Sequence, residues 1–296
     1  MLKHIGKNEF QNRETLGQFA EIAFDTFVEM AGGKESVERV SGRIHYFEKG
    51  KGPAVLLLHG LCQSLYTFRN NIGDLSEAYR VIALDLPGQG YSDCPDMSYS
   101  IEEYALALKA FAGALGLEQF SLVCFGQACA YGLELAEFNK ELVDKIVMIH
   151  PGTFAATDYP GAKGVASSLG GTVNKYAKEA FVRKCLEKAY FDKTLITDTI
   201  VDEYTRPMER EDVRFATKLA AAAYDDTETL ERLAGLTKKM LLITSKDDLV
   251  SSEADIKAYQ DSIRNGYVYE MRNCGYFPHE EKPAGVNQAI LEFLEK

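Results

Sequence analysis

The residue types that most often carry chemistry are sparse in this chain of 296 residues, and they do not cluster along it. The histidines show no H-x-x-x-H or similar pairing, and the cysteines lack the paired spacing of metal sites. The histidines are His4, His45, His59, His150 and His279, and the cysteines are Cys62, Cys94, Cys124, Cys129, Cys185 and Cys274. The pattern predicts no metal ion and no cofactor. Dispersed cysteines are typical of reduced thiols, which indicates a cytoplasmic protein.

One stretch has the layout of a turn that holds a reactive group. Residues 120–123 read as a buried strand, a tight turn follows, and a helix is predicted to run to about Phe138. Gly126, at the centre of the turn, offers no side chain. Gln127 lies at the start of the helix, where the helix dipole favours negative charge. The turn is therefore predicted to accept an anion or a polar oxygen.

His150 follows directly after an apolar segment, residues 145–149, that reads as another buried strand. Ligands of open α/β sheets bind at the carboxyl ends of the strands. His150 could thus face a pocket and act as a base or as a ligand contact. The alternative is a hydrogen-bonded, partly buried histidine with no role in binding.

The bulk composition is that of an ordinary globular protein, with 46% hydrophobic and 26% charged residues. A net charge of −11 and a pI near 5.1 argue against nucleic acid as a partner. No apolar run approaches the ~20 residues that span a bilayer, and the first ten residues contain no apolar signal-peptide region. We expect neither a nucleic-acid nor a membrane partner.

Alternating buried strands and helices place these residues in an α/β fold with a mostly parallel sheet. Strands are predicted at 36–40, 43–48, 54–58, 79–85, 120–123, 145–149, 239–244 and 267–272. Helices are predicted at 65–78, 101–115, 252–263 and 284–295, besides the helix after the turn. Between 152 and 236 only helical stretches occur, at 172–189, 194–205, 210–223 and 227–234. We therefore predict a core (35–151 and 237–296), an inserted helical cap (152–236) and an N-terminal helical extension (1–34).

The N-terminal helix is predicted over residues 8–31. Its apolar residues recur at three- and four-residue spacing, and Gly32-Gly33 ends the run. The polar face is acid-rich, which favours packing on the core or on a second subunit over a membrane surface. A homodimer formed through this helix is one possible arrangement.

Four motifs together resemble α/β-hydrolase-fold proteins with a helical cap, similar to epoxide hydrolases, haloalkane dehalogenases and related esterases. The motifs are His59-Gly60, Asp85-Leu-Pro-Gly-Gln-Gly-Tyr-Ser92, Cys124-Phe-Gly-Gln-Ala128 at the place of the G-x-S-x-G elbow, and Cys274-Gly-Tyr-Phe-Pro-His-Glu-Glu-Lys-Pro283. The resemblance covers about residues 36–296. It implies an eight-stranded, mostly parallel sheet and a pocket between core and cap.

The resemblance also implies a Ser-His-Asp triad, but two of its positions differ here. Gly126 occupies the nucleophile position, and Tyr276 stands where the base histidine is expected. A phenol with a pKa of ~10 cannot take up a proton as imidazole does. Asp248 fits the acid position, with Asp247 as the alternative, and its expected partner is the Tyr276 hydroxyl. A role for Asp248 as a cap of the next helix stays open. His279 matches a second histidine of the motif that is usually structural.

The oxyanion hole is implied at the backbone N–H groups of Leu61 and Gln127, with Cys62 in the same loop. These donors are main-chain groups, so side-chain substitution alone does not remove them. The turn would then still accept a carbonyl or carboxylate oxygen, and a small organic molecule is the expected partner.

Three functions follow from this combination. The first is a pseudo-hydrolase that binds a small organic ligand without covalent chemistry. The second is a lyase, isomerase or decarboxylase that uses the oxyanion hole, with Tyr276, Asp248 or His150 moving protons. The third is a hydrolase that activates water with His150 or Asp248. Because two triad positions are altered together, we favour the first two.

Overall fold

The computed structural model describes residues 17–30, 34–152 and 173–296, and these ranges contain one sheet of eight strands flanked by helices. The strands are β1 Gln18–Met30, β2 Lys34–Lys49, β3 Ala54–Leu58, β4 Arg80–Leu84, β5 Phe120–Phe125, β6 Val143–Ile149, β7 Lys239–Ser245 and β8 Gly266–Met271. Their order in the sheet is β1-β2-β4-β3-β5-β6-β7-β8. The β1–β2 and β2–β4 pairs are antiparallel, and all others are parallel. The α/β-hydrolase fold with a mostly parallel sheet is confirmed.

The central strands are apolar on both faces because helices cover both sides of the sheet. All five residues of β3 and all six of β5 are buried, as expected for parallel strands between two helical layers. Two apolar clusters, one on each face, form the core. β5 lies between β3 and β6, so the turn that follows it opens at the middle of the sheet edge.

The helices complete the alternation. The helices of the core are α1 Ile72–Leu75, α2 Ile101–Ala114, α3 Ala128–Phe138, α8 Glu253–Ser262, α9 Pro278–Glu281 and α10 Pro283–Leu294, and those between β6 and β7 are α4 Glu179–Ala189, α5 Asp198–Thr205, α6 Glu211–Ala223 and α7 Thr229–Gly235. Short 3₁₀ helices lie at Leu65–Phe68, Val173–Ala177, Lys193–Leu195 and Arg206–Glu209. The predicted helix over 65–78 is thus two short pieces. No helix in the described ranges is both long enough and apolar enough to cross a membrane.

The prediction of an N-terminal helix is wrong for the described residues, because residues 18–30 form strand β1. Alternate residues of β1 are buried, namely Ala20, Ile22 and Phe24. This two-residue period is typical of a strand, and the helical interpretation overlooked it. β1 pairs along its whole length with β2, and Arg39 of β2 binds Asp25 at 2.7 Å. Residues 1–16 lie outside the described part. The proposed dimer interface on a helix therefore has no basis in residues 18–30.

The two predicted strands at 36–40 and 43–48 are a single strand, β2. Gly42, which lies between the two predicted strands, is within β2 and opposite Ile22. The predicted strand count of eight is therefore right, although β1 replaces one of the two short strands. Only helices and turns occur between β6 and β7 in the described residues 173–235, so the helical cap remains the interpretation of that region, with bounds that stay a prediction.

Candidate functional site

The turn between β5 and α3, called the elbow below, has the predicted backbone. Gly126 has φ of +62°, a conformation that glycine adopts without the strain imposed on other residues. Its N–H donates to the carbonyl of Ile149 at 3.1 Å, which joins the elbow to the end of β6. An ideal Cβ on Gly126 would lie 3.1 Å from the hydroxyl oxygen of Tyr276. Glycine at this position leaves the space in which the phenol sits.

Tyr276 therefore supplies the hydroxyl that stands beside the elbow. Its ring packs against Phe125 and His150, with ring centroids 4.9 Å and 5.3 Å away. Burial, with a smaller contribution from the charge of Asp248, raises the pKa of this phenol. The hydroxyl is thus protonated at neutral pH. The backbone N–H of Tyr276 donates to the carbonyl of Ala189 at 2.7 Å, which ties the residue to the cap.

His150 and Asp248 come together at the same edge of the sheet. The imidazole Nδ1 lies 3.3 Å from the carboxylate of Asp248 and 3.4 Å from the hydroxyl of Ser251. Asp248 also accepts the backbone N–H groups of Val250 (2.7 Å) and Ser251 (3.0 Å). Burial lowers the pKa of His150 despite the opposing charge of Asp248. The structure thus places the carboxylate of Asp248 beside Nδ1 of a buried imidazole.

The neighbours of Asp248 settle two alternatives. Asp247 accepts the backbone N–H of Asn273 at 2.7 Å and has no part in the pair. Helix α8 is capped by the Ser252 side chain, which accepts the N–H of Asp255 at 3.1 Å, so Asp248 is not its cap. Ser251 was missed by sequence reasoning. Its only sequence signal is its place three residues after the candidate acid.

The backbone donors of the predicted oxyanion hole are only partly as expected. Among the described residues, no hydrogen bond involves the N–H of Leu61 or of Gln127. The N–H of Cys62 donates to the side chain of Gln89 at 3.0 Å, so it is engaged within the protein. Cys62 has φ of +60°, and burial raises the pKa of its thiol. Leu61 and Gln127 thus remain candidate donors, whereas Cys62 contributes side-chain contact alone.

A small cavity lies between the loop of Leu61 and the cap. Its volume is about 20 Å³, room for about one water molecule. The lining residues are Leu61, Cys62, Gln63, Tyr176, Val182, Cys185, Leu186, Tyr204 and Phe277. Among the described residues, side chains from the helical region after β6 thus lie close to the loop of Leu61 at this cavity.

Three other histidine and cysteine side chains are held within the fold. Nδ1 of His59 bonds the carbonyl of Gly60 (2.7 Å) and its Nε2 accepts the N–H of Leu86 (3.0 Å), so this histidine holds the loop. Cys124 and Cys129 are buried, and burial raises the pKa of both thiols. No group of three potential metal ligands occurs within residues 17–30, 34–152 and 173–296.

A second buried polar group, called the Glu280 cluster, lies beneath the cap. Its members are Glu280, Arg69, Thr67, Tyr190 and Tyr204. One carboxylate oxygen of Glu280 accepts from Arg69 (2.6 Å) and Tyr190, and the other from Thr67 (2.6 Å) and Tyr204. Arg69 and Thr67 follow β3, whereas both tyrosines lie in the helical region between β6 and β7. The cluster joins this region to the sheet core.

His279 adjoins this cluster and not the elbow hydroxyl. Its Nε2 lies 2.7 Å from the Thr67 hydroxyl, and its ring packs against Phe125, Phe68 and Phe277. Burial lowers the pKa of His279 to about 3. This neutral histidine fits the structural role that the motif implies.

Comparison with known proteins agrees with the fold. The α/β hydrolase fold family matches residues 53–283. The 2-hydroxy-6-oxo-6-phenylhexa-2,4-dienoate hydrolase of Comamonas testosteroni is 27% identical over 267 residues, which cover 86% of this chain and 91% of that protein. The soluble epoxide hydrolase of Corynebacterium sp. strain C12 is 27% identical over 272 residues, covering 85% and 93%.

Solved structures show the same likeness in three dimensions. The epoxide hydrolase CorEH without ligand has a TM-score of 0.76 at 22% identity, covering 92% of this chain and 99% of its own. At this identity the likeness concerns the fold. With more than half of its length matched by the family, the chain belongs to the α/β hydrolase fold family.

Proposed function

We propose that this protein binds a small organic carbonyl or carboxylate compound between core and cap, and that it forms no covalent acyl-enzyme. The ligand oxygen would accept hydrogen bonds from the N–H groups of Leu61 and Gln127. The protein would then be a pseudo-hydrolase, which has the hydrolase fold and binds a ligand without a nucleophile.

The observation that carries the proposal is the pairing of Gly126 with Tyr276. A nucleophile on the elbow must project from residue 126, yet that space meets the Tyr276 hydroxyl 3.1 Å from the ideal Cβ position. The two substitutions are therefore complementary, since glycine makes room for the phenol. A buried phenol whose pKa is raised donates a hydrogen bond and does not act as a nucleophile at neutral pH.

Two further features support a carbonyl ligand. Gln127 immediately precedes helix α3, where the helix dipole favours a partly negative oxygen. The related hydrolase of Comamonas testosteroni is named for a 2-hydroxy-6-oxo-dienoate, a compound with both an oxo group and a carboxylate. A ligand with one of these groups would suit the backbone donors.

The proposal is tested with a fluorophosphonate probe and with cyclohexanone, a carbonyl probe whose binding is followed by saturation-transfer NMR. We expect no covalent labelling, and binding of cyclohexanone by the wild-type protein. Gly126→Ala should weaken binding about tenfold because its methyl group enters the site. The matched control is Gly113→Ala, where an added Cβ meets nothing within 4 Å, and its binding should equal that of the wild type.

Labelling of the protein by the fluorophosphonate would contradict the absence of a nucleophile. Equal cyclohexanone binding by the two alanine variants would show that the ketone lies elsewhere. Urea denaturation of both variants establishes that each is folded, since Gly126→Ala is expected to cost about 1–2 kcal/mol at its positive φ.

A second candidate function, a non-covalent enzyme that moves protons, is favoured by the His150–Asp248 pair. A neutral histidine held by a carboxylate is a suitable general base. It could abstract a proton from a ligand whose enolate the elbow donors stabilise. The same base could instead activate water, in keeping with the hydrolase names of the relatives.

Hydrogen exchange of 2-hydroxycyclohexanone in D₂O tests this candidate. If His150 is a base, the wild-type protein should accelerate exchange next to the carbonyl, and Asp248→Asn should reduce the acceleration at least about tenfold. Asp247→Asn serves as the control, because Asp247 contacts Asn273 and not His150. Absence of exchange would reject an enzyme that abstracts a proton next to the carbonyl.

A further inference from the structure

The hydrogen-bonding state of His150 limits what the elbow site can bind. His150 lies at the end of β6 with φ of +41°, and its side chain is 0% exposed. Its Nδ1 faces Asp248 (3.3 Å) and the Ser251 hydroxyl (3.4 Å). An ionised carboxylate can only accept hydrogen bonds. A proton on Nδ1 gives the favourable interaction with this carboxylate, and the Ser251 hydroxyl can adapt as donor or acceptor, so these contacts favour the Nδ1–H tautomer.

The other nitrogen, Nε2, is then left as an acceptor. Burial lowers the pKa of His150, so the ring is neutral near pH 7 and holds a single proton. Nε2 is buried and has no hydrogen-bond partner in the part of the chain that the structure describes. An acceptor in this condition costs free energy unless a donor arrives.

His150 lies at the end of the strand that neighbours the elbow. β5 and β6 are neighbours in the sheet, and the Gly126 N–H bonds the carbonyl of Ile149, the residue before His150. Adjacent strands are separated by ~4.8 Å. A ligand whose carbonyl oxygen meets the elbow therefore has its next atoms within reach of the His150 ring. The site combines donors for one oxygen with an acceptor for a neighbouring hydroxyl.

We propose, building on the function above, that the ligand is a hydroxy-carbonyl compound. Its carbonyl oxygen accepts from the N–H groups of Leu61 and Gln127, and a hydroxyl on the adjacent or next carbon donates to Nε2 of His150. Asp248 and Ser251 act as positioning residues because they fix the tautomer of His150. A simple ketone satisfies only half of this arrangement.

The first test measures the tautomer directly in the wild-type protein. Long-range ¹H–¹⁵N NMR of histidine-labelled protein should show the Nδ1–H form for His150, assigned with His150→Asn. In Asp248→Asn the new amide can donate to Nδ1, so the ring should change to the Nε2–H form, whereas Asp247→Asn should leave it unchanged. An Nε2–H ring in the wild type overturns the inference.

The second test compares two ketones that differ by one hydroxyl. The wild-type protein and Asp247→Asn should bind 2-hydroxycyclohexanone about fivefold more tightly than cyclohexanone, the value of one net hydrogen bond. In Asp248→Asn the preference should disappear while cyclohexanone binding persists. Equal binding of the two ketones by the wild type would overturn the hydroxy-carbonyl ligand and leave the carbonyl site standing. Binding of neither ketone would overturn the carbonyl site itself.

Discussion

Two buried polar regions, the Glu280 cluster and the elbow site, differ in how completely their polar atoms are hydrogen-bonded. In the Glu280 cluster each carboxylate oxygen accepts two donors, drawn from both core and cap. At the elbow, Nε2 of His150 and Nε2 of Gln127 are buried without a partner among the described residues. Native proteins rarely leave buried polar atoms unpaired. The first region is internally satisfied, and the open hydrogen-bonding groups of the second support the proposed ligand site.

The two regions also differ in what surrounds their unpaired atoms. Nδ1 of His279 also lacks a partner in the described chain, but this ring is enclosed by three phenylalanines. His150 instead adjoins the Tyr276 ring and an elbow with candidate backbone donors. An unpaired atom marks a site when other polar groups converge beside it. Sites of this kind often lower the stability of the folded protein, and interactions elsewhere in the fold compensate for that loss.

The largest expected effect is that of Glu280→Gln. Loss of the charge leaves the Arg69 guanidinium buried without its ion-pair partner, and breaking such a pair costs about 3–5 kcal/mol. Urea denaturation should show this loss of the free energy of unfolding. The control is Glu270→Gln on the exposed strand β8, expected within about 0.5 kcal/mol of wild type. A cost below about 1 kcal/mol for Glu280→Gln would remove the structural role of the cluster.

The second effect is a loss of stability in mild acid. The pKa of His279 is about 3 in the folded protein because of burial, against ~6.5 when unfolded. Between these values the unfolded chain binds more protons, so the free energy of unfolding falls as pH falls. From pH 7 to pH 5 this residue should account for about 2 kcal/mol.

Denaturation midpoints at pH 7, 6 and 5 measure this loss, and His279→Gln should lessen it by the same amount. His59 and His150, whose pKa values burial also lowers, act in the same direction. The pKa of Glu280 lies below its ordinary value because the charge of Arg69 and the hydrogen bonds from Thr67 and Tyr190 outweigh burial. Its stabilisation is therefore present above about pH 4.5 and is lost only at lower pH. An unchanged pH dependence in His279→Gln would contradict a neutral His279.

The smallest effect should come from His150→Asn at the elbow site. Asparagine tolerates the positive φ of this position, and Asp248 keeps its two backbone donors. We expect the free energy of unfolding to stay within about 1 kcal/mol of wild type, while the preference for 2-hydroxycyclohexanone is lost. A destabilisation as large as that of Glu280→Gln would show that His150 stabilises the fold as strongly as the Glu280 cluster does.

Local patterns were reliable where local chemistry decides the structure. The elbow conformation follows from an apolar strand, a glycine and a helix start within ten residues. The buried strands β3 and β5 follow from continuous apolar runs. The N-terminus shows the limit, because Phe19, Ala20, Ala23 and Phe27 fit a helix while Ala20, Ile22 and Phe24 fit a strand. Pairing with β2 stabilises the strand, and this pairing is not visible in the local pattern of residues 18–30.

By itself the sequence determined the α/β hydrolase fold, and it predicted that Gly126 and Tyr276 occupy the positions expected for a nucleophile and a base. Only the tertiary structure decided that the Tyr276 hydroxyl sits beside Gly126 and that Asp248 lies against His150. These partners are far apart in the chain. They meet because β5, β6, β7 and β8 lie side by side, so that the loops at their carboxyl ends converge. Strand order is a property of the whole sheet, and no local pattern encodes it.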